Sequence, residues 1–476
     1  MRKRLLNIGK LLFFCLPLLL GTIGFVAVDG RPLIDSLFAC VTMYAMNYSD
    51  TPANIFVELA RWIAPLVTAS GILLAFAKVR DKLRGYIRYL RGDSVAVYGP
   101  DEYKSALLAR LGRRGFDGGA DWAFSRAQSY LLLGDETENF SFYGQNREKL
   151  AGRTVYLQCR TLPAQSVSDA ELHLFCPEET AARLFWKRRC LYQTSVQCGH
   201  HMRIVFLGFG TLGEKLLTFA LQDNIFDPDQ HIEYHIFGDG AEFSAIHAEL
   251  SSIGDPVIFH AEPWYEQLSL LEEAQVLVVL SQEDQLALIQ NLLLATTGPF
   301  IDVFIAGEDA LELLAGRERL RLFHWKLEAW NPTHIFGDTL FDRAKRINLR
   351  YAHLYSGVTE NDETRETEWE KLDAFTRYSN VSAADYHEVR LNMLSALGWS
   401  TDAERLSLEE MELLSELEHI RWCRYHYLNN WKRGVPENVA RKDPGKRILA
   451  DLIPYGELTE CEKEKDRDNI RILLSI

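Results

Sequence analysis

The stretch Arg203-Ile204-Val205-Phe206-Leu207-Gly208-Phe209-Gly210-Thr211-Leu212-Gly213 places a strand-like run directly before three glycines spaced GxGxxG. A helical pattern from Glu214 to Leu221 comes at once after them. That spacing is informative only with a strand before it and a helix after it, and both are present here. Gly208 is read as the tight turn, Gly210 as the point where a pyrophosphate approaches the backbone, and Gly213 as the contact between helix and strand. The helix start, with Thr211 and Leu212, then offers unpaired N–H groups and positive potential to a phosphate.

Working outward, a second strand from Ile232 to Phe237 ends in Gly238-Asp239. Asp239 is the candidate ribose-binding acid; it comes late because of the Asp227-Pro228-Asp229 insertion. Leu277–Leu280 and Ile301–Ile305 supply further strands. Upstream, Ser94–Tyr98, Tyr130–Leu133, Thr154–Gln158 and Leu172–Phe175 read as strands, with a helical pattern from Glu102 to Leu111. Strands alternating with helices at this spacing predict α/β units with open, largely parallel sheets. Residues 93–200 read as a Rossmann-like unit without a glycine cradle, and residues 201–350 as a Rossmann unit with one. A Rossmann fold with an empty crevice would carry the same residues. No proton donor or nucleophile stands after the fingerprint in a recognisable place; His260, His324 and His334 are unplaced candidates, so no catalytic residue is assigned.

The chain has 476 residues, 47% of them apolar and 25% charged, which is ordinary globular material for three or four units. A formal charge of −14 argues against general nucleic-acid binding. The charge is split: residues 1–92 carry 12 Lys/Arg against 5 Asp/Glu, leaving −21 on the rest. That is the pattern of a membrane anchor with a soluble body. Eight cysteines are spread without ligand spacing, and even Cys190, Cys198, His200 and His201 fit no usual zinc template, so no metal site is expected. Reduced thiols suit a soluble part facing the cytoplasm.

Leu11 to Val28 is an uncharged apolar run, long enough to cross a bilayer core, and a second runs from about Leu59 to Ala77. Arg2, Lys3, Arg4 and Lys10 precede the first; Lys78, Arg80, Lys82, Arg84, Arg88 and Arg91 come after the second. Basic flanks and an acidic middle predict a multi-pass protein of the inner (plasma) membrane with both termini cytoplasmic. A cleavable signal peptide shares the basic start, but Val26-Ala27-Val28 is a poor cleavage site and the second run would remain.

Three segments resemble known families. Between the apolar runs, Leu33–Met46 leads into Asn47-Tyr48-Ser49-Asp50. This is similar to the pore loop of two-helix potassium channels: Thr42 takes the first Thr of the filter, Met46 the Val, Asn47 and Ser49 the two Gly, while Tyr48 and Asp50 keep their places. The two glycine replacements put potassium selectivity in doubt, and a plain extracytoplasmic hairpin stays open. GFGTLG at 208–213, Asp239 and the segment Val276–Asp284, with Ser281 and Asp284 in its polar turn, resemble the nucleotide-binding half of KTN/RCK (TrkA-N-like) gating modules. Finally, Glu416-x-x-His419-x-x-Trp422, Asn430-Trp431-x-x-Gly434, Leu452-Ile-Pro454-Tyr455 and Glu464-Lys-Asp466 look like the RyR domain over residues 405–476. Residues 351–404 then read as a linker and helical connector. His419, Trp422, Trp431 and Tyr455 are candidate ligand residues that could wall a planar base, although two Trp at helical spacing are more often core.

Together these imply a homotetrameric, channel-like protein in the lipid bilayer, gated by NAD(H) or another adenine nucleotide and possessing no nucleic-acid partner. The RyR resemblance adds a role as a nucleotide-signal effector in cell defence. A membrane-anchored NAD(P)-dependent enzyme and a non-conducting scaffold are the alternatives.

Overall fold

The computed structural model describes residues 15–49, 54–90, 92–119, 122–167, 171–282, 284–305, 316–337, 339–437 and 441–476. It divides into two compact units, Met1–Ser94 and Val95–Ile476.

The first unit contains three helices: α1 (Cys15–Val28, its last six residues π-helical), α2 (Leu33–Tyr44) and α3 (Ile55–Leu90). Glycines bring them together. A Cβ on Gly21 would stand 2.5 Å from Cys40 Sγ, and one on Gly24 would stand 2.7 Å from Val57 Cγ2. Such small-residue contacts are how apolar helices pack when water supplies no drive. Asn54 Nδ2 ties the bundle by donating to Gly24 O (3.1 Å) and Asp29 Oδ1 (3.0 Å). Ile34, Phe38, Trp62 and Leu66 stand exposed on the outside. Among the described residues, one helix is long and apolar enough to cross a membrane, over Ile55–Ile72. The 12-residue α2 rises only about 18 Å, short of a hydrocarbon core of about 30 Å. Leu11–Phe14, the start of the first apolar run, lie outside the described residues, as does Asp50.

The second unit is built on two parallel sheets. Strands β1 (Val95–Tyr98), β2 (Gly115–Asp117), β3 (Ser129–Leu132), β4 (Thr154–Gln158) and β5 (Leu172–Phe175) lie in the order β2-β1-β3-β4-β5. With α4 (Asp101–Leu111), α5 (Glu136–Leu150) and α6 (Pro177–Arg188) they make the flavodoxin-like doubly wound arrangement. Strands β6 (His201–Leu207), β7 (His231–Phe237), β8 (Val257–Phe259), β9 (Val276–Val279), β10 (Phe300–Phe304) and β11 (Leu320–Phe323) lie in the order β11-β10-β9-β6-β7-β8. That is the dinucleotide-binding order, with its reversal between β6 and β9. Ile204–Leu207 and Val276–Val279 are buried throughout, as strands covered on both faces must be. Helix α7 (Gly210–Asp223) comes after β6, and α8 (Gln285–Ala295) after β9.

The C-terminal third comprises α9 (Asp342–Ser356), α10 (Ala374–Leu397), α11 (Leu408–Leu428), α12 (Glu460–Leu474) and three two-residue strands, β12 (Lys432–Arg433), β13 (Lys442–Asp443) and β14 (Ile448–Leu449). It shares a core with the second sheet: Tyr386, Val389, Leu417 and Leu428 belong to the same apolar cluster as Ile204 and Phe206. Residues 351–404, read as a linker and helical connector, contain the helix α10, which buries Val381, Tyr386, Val389 and Arg390 among others. Buried ion pairs fix the register. Glu418 receives Arg390 (2.5 Å) and Arg421 (2.7 Å), and Arg424 reaches Asp255 across the sheet boundary (2.7 Å). Removing one member of such a pair leaves a buried charge uncompensated, typically about 3–5 kcal/mol.

Candidate functional site

The loop after β6 lies where the second sheet reverses, the position at which open α/β sheets bind ligands. Each glycine has a separate reason. Gly208 has φ +96°, and a Cβ there would sit 2.8 Å from the backbone N of Ser281, so β6 and the turn after β9 touch through bare backbone. Gly210 has φ +63° and open space beside it, as a phosphate cradle requires. Gly213 is crowded by the Phe209 ring and Leu280, as helix packed on strand. Ser281 donates its N–H to Leu207 O (3.1 Å), which fixes the opposite wall. Helix α7 has no acid in its first turn to neutralise it, so its N–H groups face the cradle with their partial positive charge. Asp239 is exposed at the end of β7, with Oδ1 accepting from Ala241 N (3.1 Å). Asp284 is exposed at φ +45° and starts α8, beyond Ser281 rather than against the glycines. The residues present thus fit a dinucleotide: a pyrophosphate on the α7 N-terminus and a ribose toward Asp239.

Sequence spacing did not explain why Gly238 precedes the acid. A Cβ there would stand 2.7 Å from Phe209 Cβ and 3.1 Å from Phe209 N, so the close approach of the Gly208-Phe209 turn forces it, while the Phe209 ring lies edge-on against Phe243 and Phe259. The histidines considered for enzyme chemistry have structural partners. His260 lies 2.9 Å from His235 and 3.1 Å from Glu262; His334 sits beside Thr339.

The four RyR-like blocks meet, but not as one aromatic wall. His419 joins three of them: Nε2 donates to Ile453 O (2.8 Å) and Nδ1 faces Asp466 Oδ2 (3.2 Å). Burial pulls this imidazole down, yet the Asp466 carboxylate and the Cys423 sulfur hold it up at about 10, so both nitrogens carry protons. His419 and Trp422, with Tyr351 and Tyr355 from α9, line a cavity of about 380 Å³. Trp431 instead packs on Phe375 (5.5 Å) and lines a separate cleft of about 740 Å³ that faces α7. Tyr455 is buried, its hydroxyl donating to Glu412 (3.0 Å). The sequence reading missed Tyr351 and Tyr355, because stacked tyrosines one helical turn apart look like ordinary surface pattern.

In the first unit, α2 ends in a left-handed cap at Met46 (φ +58°), and Asn47 N donates to Thr42 O (2.9 Å). The left-handed residue is Met46, whereas the filter alignment would place such freedom at Asn47 and Ser49. Thr42 Oγ1 donates to Ala39 O (2.7 Å), and the Tyr48 ring lies 5.8 Å from Phe25. These contacts tie the turn to its own bundle.

Fold and site together define an α/β protein with two parallel, Rossmann-like sheets, an open glycine-lined crevice at the reversal of the second, and an N-terminal apolar helical unit. The chain matches no family model, and no curated protein is detectably similar to it.

Proposed function

We propose that this chain is one subunit of a channel-like assembly in the inner (plasma) membrane, gated by a nucleotide held in its cytosolic part. One observation carries the reading: GFGTLG lies at the reversal point of a six-stranded parallel sheet, with Gly210 open to a ligand, in a chain that also bears the apolar segment Ile55–Ile72. NAD(H) or another adenine nucleotide supplies the pyrophosphate that α7 would hold and the ribose that Asp239 would orient. A bound ligand shifts an assembly only if it prefers one of two states. Helix α7 offers a route for that preference: its N-terminus forms the cradle, while near its C-terminus Leu221 O accepts from Arg424 of α11 (3.1 Å). Occupancy would thus bear on the helices of the RyR-like region, where His419 and Trp422 face a second cavity. With one hairpin per chain, a pore needs several copies, and four is the number the channel resemblance implies. The same resemblances support two membrane helices, both termini cytoplasmic, and a role in cell defence.

The test is ion flux from liposomes carrying the full chain, with NADH or ATP as probe. Flux that changes on adding either probe supports the reading. Liposomes that stay tight under all conditions, or a monomer in mild detergent, would remove the channel reading and leave a tethered receptor.

A further inference from the structure

The cleft of about 740 Å³ lies at a junction: Glu179 and Thr161 come from the first α/β region, Lys215 and Thr218 from α7, and Trp431, Lys442 and Arg447 from the C-terminal region. Its volume falls within the usual range for small-molecule sites. Three cations line it: Lys215, Lys442 and Arg447. Among the described residues none of the three has a carboxylate within salt-bridge distance, in a chain of net charge −14. Elsewhere in this region cations are spent on ion pairs, as in Arg441 with Asp451 and Lys432 with Glu249. Lys442 Nζ instead lies 4.9 Å from the centroid of Trp431 and 5.9 Å from that of Phe375, a cation held over aromatic faces. Among the described residues the Arg447 guanidinium donates to Asn429 O alone (3.2 Å), which leaves most of it open to an anion.

Carboxylates line the cleft as well: Asp373, Glu179 and Glu214, the first two of them engaged. Asp373 caps α10 by accepting from Thr376 N (2.8 Å). Glu179 is buried and accepts from Tyr378 Oη (2.8 Å). Glu214 stands on α7 next to Lys215. A purely anionic ligand would suffer from these acids, whereas a ligand with phosphates at one end and N–H donors at the other would use both sets. Apolar planar contact is available from Phe375, Phe243 and Tyr425.

We infer that this cleft is a second nucleotide site, distinct from the GFGTLG crevice, in which Lys215, Lys442 and Arg447 meet the phosphates of a di- or triphosphate and the aromatic side chains meet its base. The inference relies on the nucleotide-gating reading only for the class of ligand; the cleft itself stands on its own residues. A ligand there would bridge α7 to the C-terminal region, so the two sites would be coupled through one helix.

The experiment is calorimetric titration of the full chain in nanodiscs with ADP as probe, comparing three proteins: wild type, Gly210→Asp, and the double variant Lys442→Glu/Arg447→Glu. Lys442 and Arg447 are exposed at the mouth, so reversing them leaves the core intact; melting temperature checks that. Two sites per chain are expected, with each variant losing one, and Lys442→Arg/Arg447→Lys restoring the second. If the double reversal keeps both the stoichiometry and affinity of wild type, the cleft site is refuted while the crevice stands. If Gly210→Asp binds as wild type and the double reversal binds nothing, the crevice reading fails and the cleft survives. No ADP binding by wild type at millimolar concentration would overturn both.

Discussion

The two parallel sheets of the Val95–Ile476 unit solve the same topological problem and reach opposite ends. Each reverses its strand order once, and each puts a glycine with positive φ at the turn after its first strand: Gly99 (+136°) after β1 and Gly208 (+96°) after β6. Both glycines press on the neighbouring crossover, Gly99 against Leu133 and Gly208 against Ser281. Two residues later they part. The second sheet has Gly210 with open space; the first has Asp101 at the start of α4, paired with Lys104 (2.9 Å). Over the first sheet's reversal point the Trp122 indole stacks on Tyr98 (5.6 Å), and a Cβ on Gly134 would stand 2.6 Å from it. An anion and an indole thus occupy the place that the other sheet keeps clear. The tight turn belongs to the fold, whereas the room a ligand would need is set by the residue two places beyond it.

The largest effect should fall on what the two sheets share. Gly208→Val and Gly99→Val each put a branched side chain at positive φ against backbone, so each should lose about 3 kcal/mol or more. Chemical denaturation of the two variants checks this; a Gly99→Val protein as stable as wild type would separate the two turns after all. Next comes the residue on which they differ. Gly210→Asp gives the second sheet the first sheet's acid. Asp tolerates left-handed backbone, so the fold should hold while ADP or NADH binding at the crevice falls about 100-fold, roughly 2.7 kcal/mol. Titration calorimetry reads the loss, and unchanged affinity would mean that phosphate does not lie on α7. The reverse exchange should be lopsided. Trp122→Ala clears the first sheet's reversal point and costs about 2 kcal/mol of stability from a half-buried aromatic cluster, yet no nucleotide affinity should appear, because Asp101 remains at the helix start. A gain of binding in that variant would show that the indole alone closes the site.

How much of this the sequence disclosed depends on the range of the interactions. GFGTLG is a local device, and its strand, turn and helix were readable from spacing, as were eight strands of the two sheets to within a residue or two, whereas the edge strands β2, β8 and β11 were not read. The reversal points were not readable either, because strand order depends on which crossovers pack together, and no residue records that alone. The separation of Trp422 from Trp431 was hidden too: nine residues apart in sequence, they face different cavities because α11 ends between them at Leu428. The burial of α10 and its Arg390 was masked by polarity, since a sequence of Arg, Asn, Asp and His reads as surface until Glu418 is found opposite.

The second sheet differs from the first in one further way, being packed through α7 against α11, and this contrast can be tested by pH. Two histidines on α11 are shifted in opposite directions. His419, beside Asp466, is held up at about 10 despite its burial; the folded state therefore keeps a proton that the unfolded chain releases above about 6.5. Its contribution is complete below that pH and is lost as pH climbs toward 10. His426 is brought down to about 4, first by burial and then by Lys442 and Arg421, although its Nδ1–H bond to Trp422 O works the other way. Its neutral form is the folded one, so its contribution is complete above about pH 6.5 and is lost as pH falls toward 4. Each slope has a ceiling of about 1.4 kcal/mol per pH unit. Stability of the full chain should therefore fall on both sides of pH 6.5. His419→Gln should flatten the alkaline side alone and His426→Gln the acid side alone, read from melting temperature between pH 5 and 9. If His419→Gln leaves the alkaline slope unchanged, the imidazolium joining α11, the Ile453 carbonyl and Asp466 is not what closes that end of the molecule. The two halves of α11 would then be held by apolar packing, and a ligand at α7 would have no charged junction beyond Arg424 through which to act.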